Sequence, residues 1–98
     1  MYKTISIDEF EQVSKRKALS IIDVREKEEY QAGHVPHAIN QPLSELAQAK
    51  LPVNKEQEQY IICQSGGRSA KACALLSKEG YQVVNVMGGT SAWRGPLI

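Results

Sequence analysis

The sequence predicts an α/β fold on a mainly parallel sheet, and three observations carry that prediction. Strand-like and helix-like patterns alternate from end to end. The runs from Ala18 to Val24, Tyr60 to Ile62 and Val83 to Val86 are almost continuously apolar and rich in β-branched residues, as strands buried on both faces are. Glycine or proline stands where the helical patterns stop, at Gly33, Pro52 and Gly80.

Lys3-Thr4-Ile5 reads as a short edge strand. Ser6 and Glu9 form the two ends of a capping box. The helix they open puts Ile7, Phe10 and Val13 on one face and ends in the cations Lys15-Arg16-Lys17, which suit a helix C-terminus. Ala18 to Val24 is a central strand, followed by a short helix from about Glu26 to Gln31. Ala38-Ile39-Asn40 reads as a brief strand, and Ser44 as the cap of a helix reaching about Lys50. Tyr60 to Ile62 is a strand, and Ser69 to Glu79 a helix that buries Ala72, Leu75 and Leu76. Val83 to Val86 is the last strand, turned by Gly88-Gly89 into a short helix starting near Thr90.

The length, 98 residues, predicts one domain over residues 1–98, with a hydrophobic core that needs neither disulfide nor metal. A formal net charge of +1 argues against general nucleic-acid binding. No apolar stretch approaches membrane-spanning length. No export signal precedes the two cysteines, so reduced thiols in the cytoplasm are expected. No Cys-x-x-Cys pair or His/Cys cluster has metal-ligand spacing, and no cofactor is expected. Charge is uneven. Ten acids fall before residue 59, whereas Gln59 to Lys78 holds none and carries Arg68, Lys71 and Lys78. That asymmetry suits a small anionic substrate.

The chemistry concentrates in Cys63-Gln64-Ser65-Gly66-Gly67-Arg68-Ser69, a glycine-rich loop between a strand and a helix. Such a loop can aim several backbone N–H groups at one point, reinforced by the helix dipole. A Cys63 thiolate there is stabilised. A free thiol titrates near ~8.5, and lowering its pKa by about 2 units takes roughly 2.7 kcal/mol of preferential thiolate stabilisation. Ligands bind beyond the C-terminal ends of strands in open α/β sheets, and Asp23-Val24-Arg25, the Cys63 loop and Met87-Gly88-Gly89 all arrive at that edge. The two glycines would let backbone approach the loop closely.

Four segments in order resemble the single-domain rhodanese-like sulfurtransferases. They are Asp23-Val24-Arg25-Glu26 with Glu29-Tyr30, then Gly33-His34-Val35-Pro36 with Ala38-Ile39-Asn40, the Cys63 loop, and Gly88-Gly89 with Ala92-Trp93. The resemblance covers nearly the whole chain. It implies a rhodanese-like fold, with a five-stranded, mainly parallel sheet and helices on both faces. It implies a Cys63 persulfide that takes sulfur from a small anionic donor such as thiosulfate, or from a persulfide donor, and passes it to a thiol or cyanide. A protein is an alternative donor or acceptor. His37 departs from the family, where glycine is commoner at this place.

On this reading Cys63 is the catalytic nucleophile, and Gln64, Ser65, Gly66, Gly67, Arg68 and Ser69 bind substrate. Loop N–H groups hold the persulfide, and the Arg68 fork holds donor oxygens. Sulfite leaves without protonation, so no catalytic His or Asp is required. Arg68 folded back onto loop carbonyls is the structural alternative. Asp23 and Arg25 are read as a structural ion pair, His34 as a loop-ordering hydrogen bonder, His37 as exposed, Cys73 as a buried core residue and Trp93 as a packing anchor. Two rival functions remain. A phosphatase or arsenate reductase of related fold has five residues between Cys and Arg, whereas four separate Cys63 from Arg68. A non-catalytic interaction module typically lacks the cysteine.

Overall fold

The computed structural model describes residues 2–47, 51 and 53–98. Five strands, β1 (Lys3–Ser6), β2 (Ser20–Asp23), β3 (Ala38–Asn40), β4 (Gln59–Ile62) and β5 (Val83–Met87), form one sheet in the order β1-β5-β4-β2-β3. Every pairing is parallel, so the sheet is more uniform than the mainly parallel one expected. The helices are α1 (Ile7–Arg16), α2 (Lys27–Ala32), α3 (Leu43–Leu46), α4 (Gly67–Lys78) and α5 (Gly89–Ala92).

Strand alternation divides the core in two. Ile21, Tyr60, Ile62, Val84 and Val86 face Phe10 of α1, with Tyr30 and Trp93 packed around them. Ile22, Ile61, Cys63 and Val83 face Leu46 of α3 and Ala72, Cys73 and Leu76 of α4. A sheet covered on both sides has no wet face, which is why all four residues of β4 are buried. Trp93 packs edge-on against Phe10, at 5.8 Å between ring centroids, as a packing anchor should. Among the described residues no helix is long and apolar enough to cross a membrane.

Local signals placed most elements. The Ser6 hydroxyl accepts from the Glu9 N–H at 3.1 Å and caps α1, whose last turn carries Lys15 and Arg16. The β2 strand is shorter than the apolar run that announced it, because Ala18 and Leu19 lie before the first ladder pair, Ser20 with Gln59. Ser44 is not the cap of α3. Pro42 takes that position, and the Ser44 hydroxyl instead donates to Glu26 Oε1 at 2.9 Å. Proline supplies a suitable φ at a helix start and has no N–H to satisfy. The expected end of this helix at Lys50, and the Pro52 stop, lie outside the described residues. Leu75 is only partly buried, whereas Ala72 and Leu76 are in the core.

His37 is exposed and has φ +74°, in the left-handed region. This conformation explains the glycine preferred at this place in the resembling family. A side chain there costs roughly 1–2 kcal/mol, against about 0.4–1 kcal/mol for the unfolded-state entropy that glycine adds. His37→Gly is therefore expected to stabilise the fold by about 0.5–1 kcal/mol, and His37→Val to destabilise it. Denaturant midpoints at unchanged slope measure both, and a lower midpoint for the glycine variant would contradict the argument.

Candidate functional site

Three parallel strands and two helices converge on Cys63. β4 ends one residue before it, and α4 begins four residues after it, with Gly66 at φ +121° in the N-cap position. The intervening carbonyls are turned away from the sulfur by a backbone clasp. Thr90 N–H donates to the Cys63 carbonyl at 2.8 Å, Ser91 N–H to that of Gln64 at 3.0 Å, and Gly88 N–H to that of Ser65 at 3.2 Å. The Thr90 hydroxyl adds a further bond to the Cys63 carbonyl at 3.0 Å. With their carbonyls engaged, the loop peptides present N–H groups to the sulfur. Gly66 N–H donates to Cys63 Sγ at 3.0 Å. The thiol in turn donates to Ser69 Oγ at 3.4 Å, and Ser69 donates to Asn85 Oδ1 on β5.

These contacts decide the ionisation of Cys63. The residue is 1% exposed, and that burial pushes its pKa up. The Ser69 hydroxyl and the backbone N–H groups of Ser69, Gly66 and Ser65 act in the opposite direction, and together they win, leaving the thiol below its ordinary value. Cys73, fully buried on α4 without comparable donors, is pushed up to about 12 by desolvation and by the nearby charge of Cys63. The two cysteines are free thiols.

Arg68 neither folds onto the loop carbonyls nor stands alone. It reaches α2 and makes a bidentate pair with Glu29, Nη1 to Oε1 at 2.6 Å and Nη2 to Oε2 at 2.8 Å. Each side chain remains about one-third exposed. The Arg68 hydrogen bond holds the Glu29 carboxyl down at about 2. Glu29 also accepts from the Glu26 N–H, in the capping box of α2. Beneath this pair Arg25 and Asp23 form the expected ion pair, buried to 4% and 0% exposure. Arg25 also donates to the Gly33 carbonyl at 2.7 Å, and at 3.5 Å to Gln64 Oε1 in the Cys63 loop. Asn40 Nδ2 ties β3 to the carbonyls of Asp23 and Arg25. His34 stacks on Tyr30, and its Nδ1 lies 2.9 Å from the Tyr30 carbonyl, so it orders its loop.

The loop thus brings together Cys63, Gly66 and Ser69, with Gln64, Ser65 and Gly67 exposed beside them and Arg68 on the flank. Sequence reasoning missed Glu29 as the partner of Arg68 and Asn85 as the partner of Ser69. Each lies far from its partner along the chain, and nothing local marks the pairing. A groove of about 550 Å³ lined by Phe10, Lys15, Leu19, Pro36, His37 and others has no residue of the Cys63 loop in its wall. Among the described residues no group of three or more His, Cys, Asp or Glu is placed to hold a metal ion.

The family model for the rhodanese-like domain matches residues 6–96. The chain belongs to the rhodanese-like domain family. A solved rhodanese-like domain protein from Staphylococcus aureus superposes with a TM-score of 0.88 at 36% identity, covering 98% of this chain and 96% of that one. The human single-domain sulfurtransferase TSTD1 superposes with a TM-score of 0.80 at 28% identity, covering 95% and 96%. The Bacillus subtilis protein YrkF, named as a candidate sulfur carrier, is 41% identical over 93 residues. That match takes in 93% of this chain but half of YrkF. The rhodanese-like fold and its α/β class are therefore as the sequence implied.

Gly89 makes the clasp possible. A Cβ there would lie 2.4 Å from the Cys63 carbonyl oxygen and 2.7 Å from Gln64 C, and its φ is +57°. Gly89→Ala is expected to cost more than about 2 kcal/mol and to return the Cys63 pKa toward that of a free thiol, read by unfolding and by the pH profile of alkylation. Wild-type-like values for both would refute the clasp's role.

Depression of a carboxyl pKa stabilises the fold above the unfolded value. The Glu29–Arg68 contribution is thus full above pH 4.5 and lost as pH falls through about 2. Carboxyl NMR should place the Glu29 midpoint close to 2, and Arg68→Ala should return it toward 4.5.

Proposed function

We propose that this rhodanese-like protein is a sulfurtransferase that carries sulfane sulfur as a persulfide on Cys63. The observation that supports the reading best is the convergence of the Gly66 N–H and the Ser69 hydroxyl on a buried Cys63 sulfur whose pKa is lowered. A lowered pKa raises the share of thiolate available without a general base. With thiosulfate as donor, it attacks the outer sulfur. One S–S bond forms, the bond to the sulfonate sulfur breaks, and its electron pair leaves as sulfite. A thiolate or cyanide acceptor then attacks the terminal sulfur of the persulfide, and Cys63 departs as thiolate. No proton need move in either step.

The loop donors that hold the thiolate also suit the negative charge of the persulfide. Gln64, Ser65, Gly66, Gly67 and Ser69 form the cradle in this reading. Arg68 reads the donor's sulfonate with guanidinium hydrogens beyond the two bonded to Glu29, which keeps the fork oriented. The four-residue spacing between Cys63 and Arg68 suits one sulfur atom better than a tetrahedral oxyanion. Free thiols at Cys63 and Cys73 fit a reducing, cytoplasmic setting. The name given to YrkF favours a second reading, in which a persulfide, small or protein-borne, is the working donor and this protein a carrier.

Incubation with thiosulfate and mass analysis of the peptides tests the proposal. One sulfur atom should appear on Cys63, none on Cys73, and cyanide or a thiol should discharge it. Cys63→Ala should abolish loading, and Arg68→Ala should raise the KM for thiosulfate about tenfold or more while leaving persulfide donors less affected. Loading by a persulfide but not by thiosulfate would select the carrier reading. No loading by either, in folded protein with free Cys63, would overturn sulfur transfer. Phosphate-ester turnover would then point to an oxyanion enzyme, and partner binding retained by Cys63→Ala to an interaction module.

A further inference from the structure

We propose that Asn85 is a positioning residue whose side-chain amide turns over when Cys63 ionises, so that it donates to Ser69 while Ser69 donates to the sulfur. Ser69 Oγ has one hydrogen and three neighbours able to accept it: Asn85 Oδ1 at 2.5 Å, the Gly66 carbonyl at 3.1 Å and, once ionised, Cys63 Sγ at 3.4 Å. The Gly66 carbonyl already receives the Ala70 N–H at 3.1 Å and does not need it.

With Cys63 as a thiol, the chain runs outward: Sγ–H to Ser69 Oγ, and Oγ–H to Asn85 Oδ1. When Cys63 loses its proton to solvent, the sulfur becomes an acceptor only, and the Ser69 hydrogen must swing to it. Left as it is, Asn85 Oδ1 would then face the lone pairs of Ser69 Oγ at 2.5 Å, inside a site where Ser69 is 0% and Asn85 4% exposed. Two buried acceptors in contact are costly. A half-turn of the amide exchanges oxygen for NH₂ with almost no change of shape, and Nδ2–H then donates to Ser69 Oγ. Both bonds of the chain are reversed, and only the amide oxygen and nitrogen exchange places. Asparagine can act in both directions, whereas aspartate can only accept and leucine can do neither. Among the described residues, the titratable groups that feel the charge of Cys63 are Arg68 and Cys73 on α4, and Arg68 is itself paired with Glu29 of α2. None of them bonds to Ser69, so the polarity of this chain rests on Asn85.

The relay deepens the sulfurtransferase reading, but its readout is thiolate formation rather than turnover. If thiosulfate fails to load Cys63 while the results below hold, the function is wrong and the relay stands. The test is the pH profile of Cys63 alkylation by iodoacetamide. Asn85→Leu should slow alkylation at neutral pH about three- to tenfold by raising the midpoint, and Asn85→Asp should slow it further. In a Ser69→Ala background, Asn85→Leu should have no added effect, because its action passes through that hydroxyl. If Asn85 merely competes for the Ser69 proton, Asn85→Leu will leave the rate unchanged or raise it, and the proposal falls. An equal loss with and without Ser69 would also overturn it. Should the leucine variant fail to fold, NMR of the wild type decides. The Asn85 NH₂ resonances should titrate with the Cys63 midpoint and cease to do so in Cys63→Ser, and resonances that stay put across that midpoint would refute the turn.

Discussion

The rest of the site depends on the backbone clasp between the Cys63 loop and the turn after β5. Three consecutive carbonyls, those of Cys63, Gln64 and Ser65, are taken by N–H groups of Thr90, Ser91 and Gly88. A peptide unit is rigid, so fixing where its carbonyl points also fixes its N–H. The clasp thereby turns a flexible glycine-rich segment into a set of donors facing one sulfur atom. It explains why burial does not lift the Cys63 pKa above its ordinary value. The cost of desolvating a thiolate is offset locally by groups that do not have to reorganise when the charge forms.

A second layer holds that loop from the side. Asp23 and Arg25 lie in the interior as an ion pair, a geometry in which desolvation can cancel the attraction. Their value here is positional. Arg25 joins β2 to the Gly33 turn at the end of α2, while the backbone of β2 continues into the Cys63 strand through Val24 N–H to the Ile62 carbonyl at 2.9 Å. α2 then supplies Glu29, which orients Arg68 over the entrance to α4. Three ion-paired or hydrogen-bonded links thus connect the strand at one side of the cysteine to the helix at its other side. Removing one member of the buried pair would leave the other uncompensated, at about 3–5 kcal/mol.

Much of this was legible in the sequence because it is written locally. The cap at Ser6, the apolar runs of β2, β4 and β5, the loop around Cys63 and the close approach at Gly88-Gly89 each need only a few adjacent residues to be recognised. The Asp23–Arg25 pair was legible for the same reason, since its members are two residues apart. What could not be read depends on which distant segments the sheet order makes neighbours. Glu29 and Arg68 are brought together by α2 and α4, and Ser69 and Asn85 by the packing of α4 on β5. The start of α3 was misplaced because Ser44 carries a capping side chain, yet its hydroxyl satisfies Glu26 instead.

The three-residue strand β3 forms one margin of the sheet, and it is bounded by Pro36 and Pro42. A sheet margin exposes a row of unused peptide groups on which another chain can extend the ladder. Here the row is too short for stable addition, and the prolines on either side have no N–H with which to lengthen it. The opposite margin, β1, carries the exposed Lys3, paired with Glu58 at 2.9 Å. An all-parallel sheet is slow to assemble and leaves its strands uncovered for longer than a hairpin-built one. Margins this poorly suited to self-templating keep copies of the chain from joining edge to edge while the reactive loop is still being formed.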